Sequence, residues 1–267
     1  RLSPKNLKFY RILSPLIKYI LGKVKRIFCQ SRYDFERYAS LLGNSAAIIE
    51  TGNIKYDNIN GQCGKLPLKE IWAKSKILVC GSVWPQELEV ICGAFFAVKN
   101  TGSNIKIVIA PRHIEKIPAI SQFLKLKGLY YLKWQDVKNK VYDERLKQID
   151  AILVDEMGIL NSFYSASDIA FVGGTLNEVG GHNLLEPAVF SKPVLFGPNY
   201  QNAFEAGQKL ILKGGGFLVK EEKDFAGRIS LLLNNSALHK NASLASRKSL
   251  EELQGATEKI LSHIRLY

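Results

Sequence analysis

The chain has 267 residues, 46% of them hydrophobic and 23% charged, and its 37 Lys and Arg against 24 Asp and Glu give a formal net charge of +13. That balance excludes a disordered, collagenous or disulfide-stapled chain, and the length fits one large α/β domain or two of ordinary size. No run of about 18 apolar residues is present, so no transmembrane helix and no signal peptide are expected in this sequence. The first residue is Arg1 rather than Met, which is expected to reflect processing, a boundary or an upstream part.

Residues 1 to 26 hold Arg1, Lys5, Lys8, Arg11, Lys18, Lys23, Lys25 and Arg26 and no acid. Leu7, Phe9, Tyr10, Ile12, Leu13, Leu16, Ile17, Ile20 and Leu21 recur between them near helical spacing, and Pro15 is expected to kink or split the helix. A basic amphipathic helix reads as a membrane-surface element or as a surface helix packed on its own domain, and the two are compatible. Nucleic acid is a further option for a basic chain, but no recognition motif supports it.

A short apolar run from Val24 to Cys29, interrupted by Lys25 and Arg26, follows. Ser31 to Leu42 has helical spacing, with Ser31 as N-cap and Asp34 in the first turn. Gly43 stops it. Ala47 to Glu50 reads as a strand, and residues 51 to 57 as a polar turn segment. Residues 58 to 70, with Gly61, Gly64 and Pro67, read as a linker.

A second α/β series starts at Lys76. Strands are expected at Ile77–Cys80, Ile105–Ala110, Tyr130–Lys133, Ala151–Val154, Ile169–Val172, Pro193–Phe196 and Gly216–Val219. Helices are expected at Glu87–Lys99, Ile114–Leu126, Phe163–Ala166, Leu184–Ser191, Gly207–Leu212, Phe225–Asn234 and Leu238–Ile264. Strands alternating with helices call for a parallel, doubly wound sheet. Cys29, Cys63, Cys80 and Cys92 show neither a Cys-x-x-Cys pair nor a nearby His cluster, so buried free thiols are expected rather than a metal site.

Ligands of open parallel sheets bind beyond the carboxyl ends of the strands. Four segments fall there. Gly81-Ser82 reads as a turn into a helix, whose N–H groups suit an anion. Arg112, after the Ile105 strand, offers a planar fork to a phosphate or carboxylate, or is an ordinary surface Arg. Met157-Gly158-Ile159 combines a close-approach glycine with an apolar side chain suited to a base, or is a simple turn. The fourth segment runs from Gly173-Gly174-Thr175 through Gly180-Gly181-His182-Asn183-Leu184-Leu185-Glu186-Pro187-Ala188. Its glycine pairs are expected to deliver N–H groups and a helix N-terminus to a phosphate. Glu186 would lie in that helix's first turn, either accepting from vicinal hydroxyls or favouring the helix dipole. The pattern is neither Gly-x-Gly-x-x-Gly nor the phosphate loop ending in Gly-Lys-Ser/Thr.

This last motif, with Phe196-Gly197-Pro198 after it, resembles the donor-site signature of the Kdo (3-deoxy-D-manno-octulosonic acid) transferases of lipopolysaccharide synthesis. Arg1-Leu2-Ser3, residues 51 to 57, Gly81-Ser82 with Glu87, Pro111-Arg112-His113 and Met157-Gly158 agree in order. The resemblance implies an α/β fold of GT-B type, with a complete Rossmann-like donor domain and the remnant of a second Rossmann-like domain. It implies residues 1–57 as the second half of an acceptor domain, 58–245 as the donor domain and 246–267 as a helix packing back on the amino-terminal part.

The implied reaction is inverting, metal-independent transfer of Kdo from CMP-Kdo to a lipid A precursor at the cytoplasmic face of the inner membrane, with no cofactor. The family's donor contacts map onto Pro111, Arg112, Met157, Gly158, Ile159, Asn183, Leu184, Leu185 and Glu186. Ser82, Gly180, Gly181 and His182 are further candidates. The family's general-base Glu is expected upstream of the position matching Arg1, so none is nominated. Ile159 stands where the family usually has Glu, and Thr175 where Ser is commoner. The alternatives are an inactive CMP-binding fragment and another GT-B enzyme using a UDP-sugar.

Overall fold

The computed structural model describes residue 2 and residues 4–43, 47–138 and 145–264. Arg1 and Ser3 of the amino-terminal motif, and the carboxyl end at 265–267, lie outside the described residues. The chain divides into two compact units, Arg1–Asn60 with Glu251–Tyr267, and Gly61–Leu250.

In the first unit, strands Ile27–Cys29 (β1) and Ile48–Glu50 (β2) pair in parallel, Phe28 opposite Ile49. The helix Arg32–Leu42 begins as its sequence requires: Ser31 Oγ accepts from the Asp34 amide at 3.2 Å. The buried Asp34 carboxylate also accepts from the Leu2 amide at 3.1 Å, and Arg37 donates to the Leu2 carbonyl at 2.8 Å. The basic amino-terminal segment is two helices, Pro4–Ile12 and Ser14–Leu21. Pro15 sits in the first turn of the second, where its missing N–H costs nothing. Phe9, Ile12, Leu16 and Tyr19 are 59%, 78%, 54% and 65% exposed, and the second helix buries no residue. Among the described residues these side chains are open, while Leu7, Tyr10, Ile17 and Leu21 are half-buried. No helix of the described residues is long and apolar enough to cross a membrane.

The expected single helix from Leu238 is two, Ser236–Leu253 and Ala256–Ile264, with Gly255 at φ 95° between them. The second is capped from a distance. Asp57 accepts from the amides of Gly255, Ala256 and Thr257 at 2.7, 3.3 and 2.7 Å. Burial pushes the Asp57 carboxyl up, but the hydrogen bonds from Thr257, Gly255 and Ala256 outweigh it and hold the group below its ordinary value. Asp57→Ala is expected to cost about 1 kcal/mol in the local stability of this helix, read by amide exchange. A lowered native pKa stabilises above the unfolded value and is lost as pH falls through the native one. The gap between variant and parent should thus narrow below about pH 4, and a gap constant to pH 2 would contradict the cap.

The second unit is built on a seven-stranded parallel sheet of Lys76–Val83 (β3), Ile105–Pro111 (β4), Tyr131–Lys133 (β5), Ala151–Leu153 (β6), Ile169–Val172 (β7), Val194–Phe196 (β8) and Gly216–Leu218 (β9). The order is β5-β6-β4-β3-β7-β8-β9. Both faces are covered, as continuous β-branched runs demand. Leu78, Cys80, Ile107, Ile109 and Phe171 belong to one core cluster, while Ile77, Val79, Val108, Ala110 and Ala170 belong to another. The chain starts in the middle at β3, builds outward through β4, then returns to lay β7 on the other side of β3. The order therefore reverses between β3 and β7, the place where such sheets bind ligands.

Three local expectations change. Gly81-Ser82 is not a turn into a helix but part of β3, with a bulge at Ser82, whose φ is 53°. The Tyr164 ring explains Gly81, since a Cβ there would meet Tyr164 Oη at 2.0 Å. The segment read as linker contains a short helix, Leu68–Ile71, whose Leu68 is buried. Of the four thiols, Cys29, Cys80 and Cys92 are buried, whereas Cys63 is exposed.

Candidate functional site

Parallel strands place their carboxyl ends on one edge, and the candidate segments leave the sheet there. Arg112 follows β4 directly, and its amide donates to the Val83 carbonyl at the end of β3 at 3.0 Å. Its side chain is exposed. Pro111 closes β4 and is buried. Beyond β6, Asp155 accepts from the Gln135 amide at 3.0 Å and Glu156 from Lys138 at 2.7 Å. Their carboxylates thus pin the loop that presents Met157, 60% exposed, and Gly158 at φ 85°. Ile159 is half-buried against the core and precedes the helix Leu160–Ala166. An apolar side chain is consistent with that position.

The loop after β7 is organised by a residue whose part the sequence did not disclose. Glu87 is 1% exposed, and its carboxylate accepts four amides: Trp84 and Gly174 at 2.9 Å, Thr175 and Leu176 at 3.0 Å. Thr175 Oγ1 donates to the Val172 carbonyl at 2.7 Å and accepts from the Gly197 amide at 2.8 Å, joining the ends of β7 and β8. The two backbones approach closely here: a Cβ at Gly197 would lie 2.2 Å from the Thr175 carbonyl oxygen. The expected phosphate cradle is thereby corrected. The amides of Gly174, Thr175 and Leu176 serve Glu87, and that of Gly181 serves the Gly174 carbonyl at 2.7 Å. They are not free for a ligand.

The helix expected at Leu184–Ser191 is also absent. Residues 184–187 form turns, followed by a single 3-10 turn, Ala188–Phe190, and Ser191 at φ 54°. Asn183 Oδ1 takes the Leu185 amide at 3.1 Å in a local turn. Leu184, Leu185 and Ala188 are fully buried, so the segment has no polar face of the kind a surface helix needs. The side chains of Leu184 and Leu185 fill the core, leaving only their backbone to meet a ligand. Gly180 and Gly181 adopt φ 93° and 84°, which the turn into His182 requires.

Arg112 is electrostatically coupled to both His182 and Glu186. Burial raises the Glu186 carboxyl above its ordinary value, opposed by the Asn183 side chain and by Arg112. Burial, then Arg112 and His113, lower the His182 imidazole. The carboxyl ends of β4 and β7 flank that of β3, so Arg112 after β4 and His182, Asn183 and Glu186 after β7 leave the sheet on one edge, with Trp84 after β3 touching both His113 and His182. Ser82 lies in the bulge below them, and Met157 to Ile159 lie one strand further out, beyond β4.

Comparison with known proteins agrees in kind. Residues 1–58 match the family described as 3-deoxy-D-manno-octulosonic-acid transferase (kdotransferase). The chain is 34% identical over 239 residues to a bifunctional glycosyltransferase/methyltransferase of Fusobacterium nucleatum, covering 88% of this chain and 36% of that one. It is 31% identical over 220 residues to the 3-deoxy-D-manno-octulosonic acid transferase of Aquifex aeolicus, covering 82% and 57%. It therefore spans between about a third and just over half of these relatives' length. The solved C-terminal CMP-Kdo binding domain of WaaA from Acinetobacter baumannii superposes with a TM-score of 0.62 at 23% identity, over 68% of this chain and 94% of that one. The fold is α/β of the GT-B type.

Proposed function

Because the chain is a relative of the 3-deoxy-D-manno-octulosonic acid transferases, we propose that it binds CMP-Kdo and serves transfer of Kdo to a lipid A precursor. The observation that carries this reading is the convergence of Arg112, His182, Asn183 and Glu186 at the strand-order reversal. A CMP-sugar has a single phosphate, and the exposed Arg112 fork is suited to it and to the charge that grows on departing CMP. Glu186, ionised, accepts from the ribose hydroxyls, and its raised pKa makes that recognition weaken as pH falls toward its native value. Met157 covers the base, and the Gly158–Ile159 and Asn183–Leu185 backbones complete the nucleotide contacts. Inversion, independence of a metal, and a place at the cytoplasmic face of the inner membrane belong to the same reading. The open, apolar and basic helices Pro4–Leu21 support the membrane face.

Calorimetric titration with CMP, UDP and 2′-deoxy-CMP tests the site. CMP should bind more tightly than UDP, and about 10-fold more tightly than its 2′-deoxy form. Glu186→Ala should erase the second difference and spare the first. Tighter UDP binding would favour an enzyme of another nucleotide sugar. Because the chain spans only part of its relatives, a second reading keeps CMP binding and omits catalysis, and Kdo transfer by this chain alone would reject it.

A further inference from the structure

Trp84 and His182 come from the loops on either side of the β3–β7 reversal. Trp84 Nε1 donates to His182 Nε2 at 3.0 Å, and the two rings lie 6° from parallel. An indole nitrogen only donates, so Nε2 must hold a lone pair, and a neutral imidazole then carries its proton on Nδ1. A proton on Nε2 would oppose two N–H groups across the same 3.0 Å.

The surroundings enforce this arrangement. His113 packs edge-on against Trp84 with centroids 4.8 Å apart. A Cβ on Gly174 would sit 2.9 Å from His182 Cδ2, so only glycine lets the imidazole lie there. The charged groups around the pair are Arg112 and His113 after β4, Glu115 at 3.0 Å from His113 Nδ1, and Glu87 beneath the Trp84 and Gly174 amides. Burial, Arg112 and His113 disfavour the imidazolium, and the Glu87 charge is already met by four amides. Among the described residues His182 Nδ1 has no partner. The amides of Gly174 to Leu176 are consumed, so a donor that joins Arg112 at a phosphate comes from another group of the site.

We propose that Trp84 is a positioning residue that fixes His182 as the Nδ1–H tautomer, and that this N–H donates to the phosphate oxygen bound by Arg112. The ligand half of this proposal rests on the CMP reading above, and the tautomer half does not.

With only four histidines in the chain, imidazole nitrogen-15 spectra of the free protein read the tautomer directly. The expected spectrum at pH 8 has an unprotonated Nε2 and a protonated Nδ1. Trp84→Phe keeps a ring and loses the donor, so the Nε2–H form should appear. An Nε2–H tautomer in the unaltered chain, or spectra unmoved in Trp84→Phe, overturns the lock.

CMP titration reads the donor. The amide nitrogen of Asn falls where Nδ1 lies and that of Gln where Nε2 lies. His182→Asn should therefore stay within about 3-fold of the parent, while His182→Gln should lose about 10-fold. Trp84→Phe should lose about 5-fold, and cytidine, which lacks the phosphate, should bind all four proteins alike. Equal losses in the Asn and Gln variants, or matching losses for cytidine, overturn the donor role. Failure of the unaltered chain to bind CMP overturns the functional reading together with the ligand half, and the nitrogen spectra still decide the lock.

Discussion

Arg112→Ala is expected to weaken CMP binding by about 10- to 100-fold while leaving the fold intact. Its amide is tied to Val83, but among the described residues its guanidinium makes no ion pair, and the side chain is exposed. Nothing structural is lost with it. A hydrogen bond to a charged group is worth about 1.5–3 kcal/mol, which sets the range. Arg112→Lys keeps the charge without the fork and should fall between parent and Ala. A second readout belongs to the electrostatics. Arg112 lowers both the His182 imidazole and the Glu186 carboxyl, so its removal should raise both. The acid limb of CMP affinity that Glu186 supplies should then move to higher pH. An Ala variant with parental CMP affinity would place the phosphate elsewhere.

The parallel sheet was legible because its signal is local. Runs such as Ile105–Ala110 are apolar at every position but Lys106, and a strand covered on both faces uses such a run. The Ser31 cap was legible for the same reason, since the side chain and the amide it holds are three residues apart. The segments that misled are those whose conformation is set from a distance. Ser82 takes positive φ within a strand whose neighbours approach closely: a Cβ on Gly173 would meet the Ser82 carbonyl at 2.5 Å. Residues 184–191 carry a helix-like composition, yet Leu184, Leu185 and Ala188 all point inward, so packing wins over propensity.

The candidate site divides in the same way. The residues that follow strands, Arg112 and Met157 to Ile159, were found by position alone. The glycine pairs were singled out as a cradle for a phosphate. Their amides looked like a cradle for an external anion, but Gly174 with Thr175 and Leu176 serves the protein's own Glu87, and Gly173 and Gly181 serve backbone carbonyls. Glu87 is one more acid at the start of an ordinary helix when read in sequence. Its four partners become visible only when the β7 loop folds over it, because three of them are 87 to 89 residues away.

That internal anion carries the other large effect. Glu87→Ala should destabilise the sheet unit by about 3–5 kcal/mol, a drop of roughly 10 °C in a thermal melt. The carboxylate is 1% exposed and has no cationic partner within ion-pair distance among the described residues; four backbone N–H groups meet its charge instead. Deleting it orphans the Gly174 and Thr175 amides in a site closed to water, and each orphan costs about 1–3 kcal/mol, less than additively. Glu87→Gln separates charge from shape. Its one oxygen serves two amides, but its NH2 faces the other two, donor against donor, so it should recover less than half of the loss. Glu87→Leu fills the volume and accepts nothing, and should behave like Ala. In all three the loop from Gly174 to Leu176 loosens from Trp84. The Trp84–His182 bond should loosen with it, and CMP affinity should fall without any change at a ligand-contacting residue. A Gln variant melting within a degree or two of the parent would mean that the four amides are satisfied without the charge, and the loop would then owe its shape to Thr175 and its bonds to Val172 and Gly197.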